Sequence, residues 1–338
     1  MPTEATRPTI ICLTPVKNEA WILDRFLQCA SVWADHIIIA DQGSEDGSTE
    51  IARRYPKVVL LENRSGSYNE KERQAMLLAA ARNFPEPRLL ITLDADEVLT
   101  ANFMSCPEWN TVVRAAVGTV IYFRWVNLRP DLQSYWSPDS YYAWGFVDDG
   151  SEHAGSMMHS PRVPVPPGAP KLKLRNIRVL HYQYTKWERM ESKHRWYQCL
   201  ERVNQPLQSA IEIYRQYHHM NAIPSGEIHS IQEEWVSGYE QKGIDMTSIR
   251  EEAAYWWDRE VLAMFARHTP KAFRREDIWG VDWSGLLKKT KPNDSSITCR
   301  DPRSPFDKLV HRWLRKTQPV YHKKWVKLVD KTLANFGW

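Results

Sequence analysis

The chain has 338 residues, 43% of them hydrophobic and 25% charged, with a formal net charge of +4. That is the balance of a globular protein of one large or two smaller domains, and so small a charge excludes a general nucleic-acid binder. Five scattered cysteines (Cys12, Cys29, Cys106, Cys199, Cys299) exclude a disulfide framework and a Cys-x-x-Cys zinc site, and with no signal-peptide pattern and no apolar run of about 18 residues a cytoplasmic protein that does not itself span a membrane is expected.

After a loose leader to Pro8, Thr9 to Thr14 is a short buried strand stopped by Pro15, and Asn18 is placed to cap a helix carrying Ile22, Phe26, Cys29, Ala30 and Trp33 at helical spacing. His36 to Ala40 is the second strand. It runs into Asp41-Gln42-Gly43-Ser44-Glu45-Asp46-Gly47-Ser48, a glycine-bearing loop whose backbone can approach a ligand, and then a helix through Tyr55. Val58 to Leu61 is the third strand, and Asn69 with Glu72 resembles a capping box opening a helix to about Asn83. The fourth strand, Leu89 to Leu93, is apolar except for Thr92 and ends in Asp94-Ala95-Asp96-Glu97. Strands alternating with helices over short connections predict an α/β fold with a mostly parallel sheet. A run without polar alternation fits a strand covered on both faces. In such sheets ligands bind beyond the carboxyl ends of the strands, where Asp94 and Asp96 can share a hard cation such as Mg²⁺ or Mn²⁺. A solvated acidic strand end is the plain alternative.

Strand-Pro-x-x-Asn-Glu, strand-Asp-x-Gly-Ser-x-Asp-Gly, helix, strand-Asp-x-Asp resembles the family 2 glycosyltransferases of GT-A fold. Thr14-Pro15-Val16-Lys17-Asn18-Glu19, Asp41 to Gly47 and Asp94-Ala95-Asp96 carry the resemblance, which is strong over roughly residues 9 to 100. Gln42 departs from it where the family often has a second Asp, and Asp-Ala-Asp-Glu is similar to transferases of lipopolysaccharide-core and envelope-glycan assembly. The resemblance implies a nucleotide-diphosphate-sugar donor and Mn²⁺ or Mg²⁺. It implies that Pro15 and Glu19 flank the base, that Asp41 contacts base or ribose, and that Asp94 and Asp96 serve metal and diphosphate. Lys71 and Arg73, at the start of a helix, would lie near the diphosphate, where a helix N-terminus suits an anion; an exposed helix face is the alternative.

Beyond Glu97, Thr119 to Leu128 reads as a strand. Tyr135 to Phe146, with Tyr135, Trp136, Tyr141, Tyr142, Trp144 and Phe146, reads as a loop or edge beside the acceptor. An inverting transferase needs a carboxylate to take the acceptor's proton. Asp149 is the first choice, with Asp148 beside it; a simple acidic turn is the alternative. The proline-rich stretch Pro161 to Pro170 is a loop, and Lys171 to Val179 a strand leading to His181. By the same resemblance His181 completes the metal shell, with His159 as its rival.

From Trp187 the chain is helical. Stripes at Trp187 to Val203, Leu207 to Tyr217, Ile228 to Tyr239 and Ala254 to Phe265 read as packing faces, and Lys288 to Pro305 as a loop. Phe306 to Trp338 carries eight Lys or Arg against Asp307 and Asp330, interleaved with Leu309, Trp313, Leu314, Trp325, Leu328, Val329 and Leu333, a pattern suited either to packing or to a membrane interface. The expected organisation is a GT-A catalytic domain over residues 1–185 and a helical region with a basic amphipathic tail over 186–338. The expected activity is metal-dependent, inverting transfer of a sugar from a nucleotide-diphosphate sugar to a hydroxyl of a glycan or lipid-linked saccharide, with peripheral contact at the inner face of the membrane. The alternatives are a nucleotidyltransferase of similar fold, disfavoured because Thr14 to Ala20 holds no glycine, and an inactive glycan-binding module.

Overall fold

In the computed structural model, residues 7–64, 69–157, 160–252, 254–290 and 299–338 are described. The chain divides into two compact units: one runs to Thr185 and takes in His229–Glu251, the other comprises Lys186–Ile228 and Glu252–Trp338.

In the first unit β1 (Thr9–Val16), α1 (Leu23–Trp33), β2 (His36–Asp41), α2 (Ser48–Arg53), β3 (Val58–Glu62), α3 (Glu70–Ala81) and β4 (Arg88–Thr92) alternate as predicted, with β1 paired in parallel to both β2 and β4. Both faces of β1 are covered. Ile10 and Cys12 pack with Phe26 and Leu27 of α1, while Ile11 and Leu13 pack with Leu77, Leu78 and Ala81 of α3, which is why the strand carries no polar alternation. Pro15 does not stop β1. The pairing to β4 ends at Leu13 and Thr92, so on that side no ladder bond is asked of the missing Pro15 N–H.

The chain continues through β5 (Glu97–Leu99), α4 (Pro107–Val113), β6 (Val120–Phe123), β7 (Trp125–Leu128), β8 (Ser134–Trp136), β9 (Tyr142–Val147), β10 (Lys171–Lys173) and β11 (Val179–His181). The main sheet has the order β10-β6-β9-β4-β1-β2-β3, with β9 antiparallel to β4 and β6. The stretch read as one strand from Thr119 to Leu128 breaks at Arg124, so that β6 joins this sheet and β7 the second one. The aromatic stretch read as a loop or edge supplies β8 and β9: its rings have packing partners, Trp144 against Phe123 and Trp125, and Tyr135 against Trp235.

The second sheet, β12-β8-β7-β11-β5, closes with β12 (His229–Ser230). The segment from Ile228 to Tyr239, read as a helix of the C-terminal region, is this short strand followed by α7 (Ser237–Glu240) within the first unit. It is held by specific bonds: the Tyr239 hydroxyl donates to the Leu99 carbonyl at 3.0 Å, and Arg25 donates to the Asp245 and Ser248 carbonyls.

The second unit is helical: α5 (Trp187–Asn204), α6 (Ala210–Tyr217), α8 (Trp256–His268), α9 (Trp283–Thr290), α10 (Pro305–Thr317) and α11 (Lys324–Asn335). A capping box of Ser304 and Asp307 starts α10, whose Val310 and Leu314 bury against Ala210, Ile211 and Tyr214 of α6. Buried Arg215 joins α6 to both tail helices, donating to the Leu314 carbonyl at 3.0 Å and to the Asp330 carboxylate at 3.1 Å. The five cysteines are free, and burial pushes the Cys12 thiol up to about 12. No helix among the described residues is long and apolar enough to cross a membrane.

Candidate functional site

The site is assembled by the loops at the carboxyl ends of β1, β2 and β4. The loop after β1 is laced to the loop after β2: the Asn18 N–H donates to Ser44 Oγ at 2.8 Å, Asn18 Oδ1 accepts from the Glu45 N–H at 2.8 Å, the Glu19 N–H donates to Ser48 Oγ at 2.9 Å and the Ala20 N–H to Asp46 Oδ2 at 2.8 Å. Asn18 therefore does not cap α1. It sits in a left-handed conformation (φ 55°), which asparagine tolerates, and spends its side chain on this lacing. Asp41 is buried at the end of β2. Its Oδ2 accepts from the Ser44 N–H at 3.1 Å, while its Oδ1 is buried without a hydrogen-bond partner. A buried, unmet acceptor costs free energy until a donor arrives, and the edge of a nucleoside supplies such donors. Pro15 lies beside Ala40, and Glu19 accepts from the Trp21 indole at 2.6 Å.

Asp94 and Asp96 follow β4 at the same edge. The Asp94 side chain is 39% exposed and that of Asp96 only 4%. His181 ends β11 between β5 and β7, where the register sets it beside Asn127. Its Nδ1 donates to Asn127 Oδ1 at 2.8 Å, so in the neutral ring Nε2 carries the lone pair. Nε2 lies 3.9 Å from Oδ2 of the Asp96 carboxylate. A hydrogen bond at one ring nitrogen orients an imidazole, as it does for histidines that serve as metal ligands. Trp125 stacks on the ring with centroids 5.1 Å apart and fixes its plane. His159 lies outside the described residues.

Arg162, given no role by the sequence reading, joins the acidic turn. Its guanidinium donates to Asp94 Oδ2 at 2.8 Å and to both oxygens of Glu97, and its carbon lies 4.9 Å from the Trp144 ring centroid. Glu97 is fully buried and also accepts from the Trp125 indole at 2.7 Å. Burial works against the Arg162 charge, but Asp94, Glu97 and Asp96 outweigh it and raise its pKa further. Among the described residues no three carboxylate, imidazole or thiol groups stand together as a metal cage; the Arg162 cation lies on Asp94 instead. No spacing in the sequence marks Arg162. The aromatic strand β9, which seats it, was the available signal.

Lys71 and Arg73 are in the first turn of α3. Lys71 is exposed and Arg73 half-buried. A crossover helix starts at the carboxyl edge of the sheet, so both stand on the ligand side.

Asp148 and Asp149 do not join them. β9 runs antiparallel to β4 with Val147 opposite Leu89, and the Asp148 N–H donates to the Arg88 carbonyl. The run from Arg88 to Asp94 spans about 20 Å at ~3.3 Å per residue, so both carboxylates sit at the amino end of β4. Asp148 is an ion-pair residue there, held by Arg82 at 2.9 Å and Arg88 at 2.9 Å. Burial alone would raise its pKa, but Arg82, the Gly150 N–H and Arg88 hold it below the usual carboxylate range. Asp149 is exposed and caps its own turn, accepting from the Ser151 N–H at 2.8 Å. The sequence reading of these two as the acceptor's base is corrected by this register.

Residues 11–124 match the family model described as glycosyl transferase family 2. Among solved structures, glucosyl-3-phosphoglycerate synthase from Mycobacterium tuberculosis, in complex with Mn²⁺, UDP and glucosyl-3-phosphoglycerate, aligns at 16% identity and a TM-score of 0.26, covering 35% of this chain and 45% of that protein. GalNAc-T7 with UDP, GalNAc and Mn²⁺ aligns at 14% identity and a TM-score of 0.39, covering 79% of this chain and 59% of its own. A 4-diphosphocytidyl-2C-methyl-D-erythritol synthase aligns at 13% identity and a TM-score of 0.29 over 42% of this chain and 75% of its own. No curated protein compared with the chain matches it.

Proposed function

We propose that this chain, whose residues 11–124 match the family model described as glycosyl transferase family 2, transfers a hexosyl-type sugar from a nucleotide-diphosphate donor to a hydroxyl of a glycan or glycolipid in polysaccharide assembly. The observation that carries the reading is that Asp41, Asp94 and Asp96 follow strands of the first sheet at its carboxyl edge, while His181 of the second sheet lies 3.9 Å from Asp96. Asp41 offers its unmet Oδ1 to the base or ribose, with Pro15 and Glu19 alongside. Asp96 and His181 offer a carboxylate and an oriented imidazole, donors that suit Mn²⁺ or Mg²⁺, and Asp94 would join them on leaving Arg162. Such a cation, when bound, neutralises charge developing on the leaving diphosphate. Arg73 and Lys71 on the first turn of α3 supply fixed positive charge on the same side. Arg162 balances the acidic turn and is placed to exchange Asp94 for a phosphate oxygen, which its fork geometry also fits. Incubation of the purified protein with a panel of nucleotide sugars, with and without Mn²⁺, tests the reading. Slow, metal-stimulated hydrolysis of one donor supports it, and none with any donor defeats it. The anomeric configuration of the product reads whether transfer inverts.

We further infer a peripheral contact with an anionic membrane surface through the tail. α10 and α11 turn Val310, Leu314 and Val326 inward and leave Leu309, Trp325 and Leu328 57%, 51% and 68% exposed. Trp313 meets Trp325 edge-on with centroids 5.7 Å apart, so these residues form one strip across both helices. Lys308, Arg312, Lys316, Lys324, Lys327 and Lys331 are exposed on the same helices, whereas Asp307 and Asp330 are taken by the helix cap and by Arg215. Apolar strips flanked by cations suit a headgroup region better than a second copy of the same face, which would set like charges together.

A further inference from the structure

The helical unit holds a cavity of about 370 Å³, lined from α5 by Trp187 and His194, from α6 and the turn after it by Tyr214 and His218, and by Asp277 and Arg315. The volume is at the small end of the range for small-molecule sites, about 300–1,000 Å³. Nothing in the proposed donor chemistry uses it.

Its charges cancel. Arg315 is spent on Asp277, with Nε donating to Oδ2 at 3.0 Å, and Arg195 on Asp258, with Nη2 donating to Oδ1 at 3.0 Å. A free anion therefore meets no uncommitted guanidinium. The imidazole of His218 presents an acceptor to the cavity. His218 Nδ1 lies 2.8 Å from the Tyr214 carbonyl and His194 Nδ1 2.9 Å from the Tyr217 carbonyl; a carbonyl only accepts, so each Nδ1 bears the hydrogen. Burial lowers the pKa of both rings, that of His194 strongly, with its neighbours His219 and His218 adding to the effect, although Asp277 opposes it at His218. The lone pair of His218 Nε2 is then left 3.6 Å from Asp277 Oδ2, acceptor beside acceptor. A hydroxyl hydrogen is the neutral group that satisfies such a pair. Trp187 gives the wall an aromatic ring, on which the C–H face of a sugar ring can lie, while Tyr214 is stacked on His218 with centroids 3.9 Å apart.

We propose that this cavity binds a neutral sugar unit. That the unit belongs to the acceptor rests on the transferase reading above; the binding itself does not.

The test is saturation-transfer difference NMR on the full chain with the methyl glycosides of glucose, galactose, mannose, rhamnose and N-acetylglucosamine, with sulfate and methylammonium as competitors. Transfer to at least one glycoside, unaffected by either ion, is expected, and it should weaken about tenfold in affinity in Trp187→Ala, the scale of one lost ring contact and its neighbours. Asn221→Trp, at an exposed lining position that does not disturb packing, should block the same signal. No transfer to any glycoside, displacement by either ion, or a signal unchanged in both variants overturns the proposal. Donor hydrolysis is followed on the same samples and should be unchanged in both variants. Hydrolysis without glycoside binding removes the pocket alone, and glycoside binding without hydrolysis removes the transferase reading alone.

Discussion

Arg162 reaches Asp94 at 2.8 Å from a segment that starts at the opposite edge of the sheet. The segment is pinned along α3, by Arg82 to the Ser151 carbonyl near one end and by Glu70 to the Ser160 N–H at the other. A guanidinium and a divalent cation compete for the same carboxylate. Arg162→Gln should therefore bind Mn²⁺ more tightly than the parent, by about tenfold if one charge pair worth ~1.4 kcal/mol is removed. Calorimetric titration with Mn²⁺ alone checks this. Equal or weaker binding would mean that Arg162 does not guard Asp94.

For Asp96 and His181 the expected outcome is loss of metal-linked donor binding with the fold retained. Asp96→Asn keeps the shape and removes the charge. Its affinity for a nucleoside diphosphate should no longer respond to Mn²⁺, and Asn127→Leu, which frees the imidazole to turn, should weaken that response by about 10- to 100-fold. A nucleotide affinity as Mn²⁺-dependent as the parent's in both variants would remove these residues from the metal site.

Asp149→Asn should transfer sugar at nearly the parent rate, because the residue lies at the amino edge of β4. Were it the base, the loss would be about 10²-fold or more. A rate assay with saturating donor decides between the two.

Asp148→Asn should act on stability instead. Its carboxylate pairs with two arginines, and breaking a buried pair costs about 3–5 kcal/mol. Because the folded pKa is lowered, this contribution is present above the unfolded value of about 3.9 and is lost as pH falls through the folded one. The gap in denaturant midpoint between parent and variant should be wide at pH 7 and narrow in acid. A gap independent of pH would show that the charge is not what matters.

The tail should float with vesicles containing phosphatidylserine at low salt, and less at high salt. Leu328→Glu with Trp325→Glu should abolish flotation, and so should replacing Lys324, Lys327 and Lys331 by Gln. If the parent does not float, or the variants float equally, the exposed strip has another use.

Much of the first unit was legible because its strands announce themselves. An apolar run ending in carboxylates, as at Asp94, states both that a strand is covered on two faces and where its ligand edge lies. The strand-end positions of Asp41 and His181 were legible for the same reason, while their roles are proposals. Asp149 was misplaced because a residue's edge depends on strand direction, and nothing local says that β9 runs against β4. Arg162 was missed because its partners are set by a loop folding back over the sheet, a long-range event with no periodicity. The break at Arg124 was hidden for a similar reason: either half is a good strand, and only the destination sheets differ.

The segment His229–Glu251 belongs to the sheet unit, although helical residues precede and follow it in the chain. Each unit is thus an interruption of the other, and no single cut yields either one whole. Expression of residues 1–185 alone would strip β12 from its sheet edge, leaving Arg25 without its two partner carbonyls and the Leu99 carbonyl without the Tyr239 hydroxyl, while residues 186–338 alone would carry the stray insert His229–Glu251 with its Trp235. The polypeptide has to be made and folded as one piece, and a shortened clone that precipitates would report this threading rather than a fault of the catalytic edge.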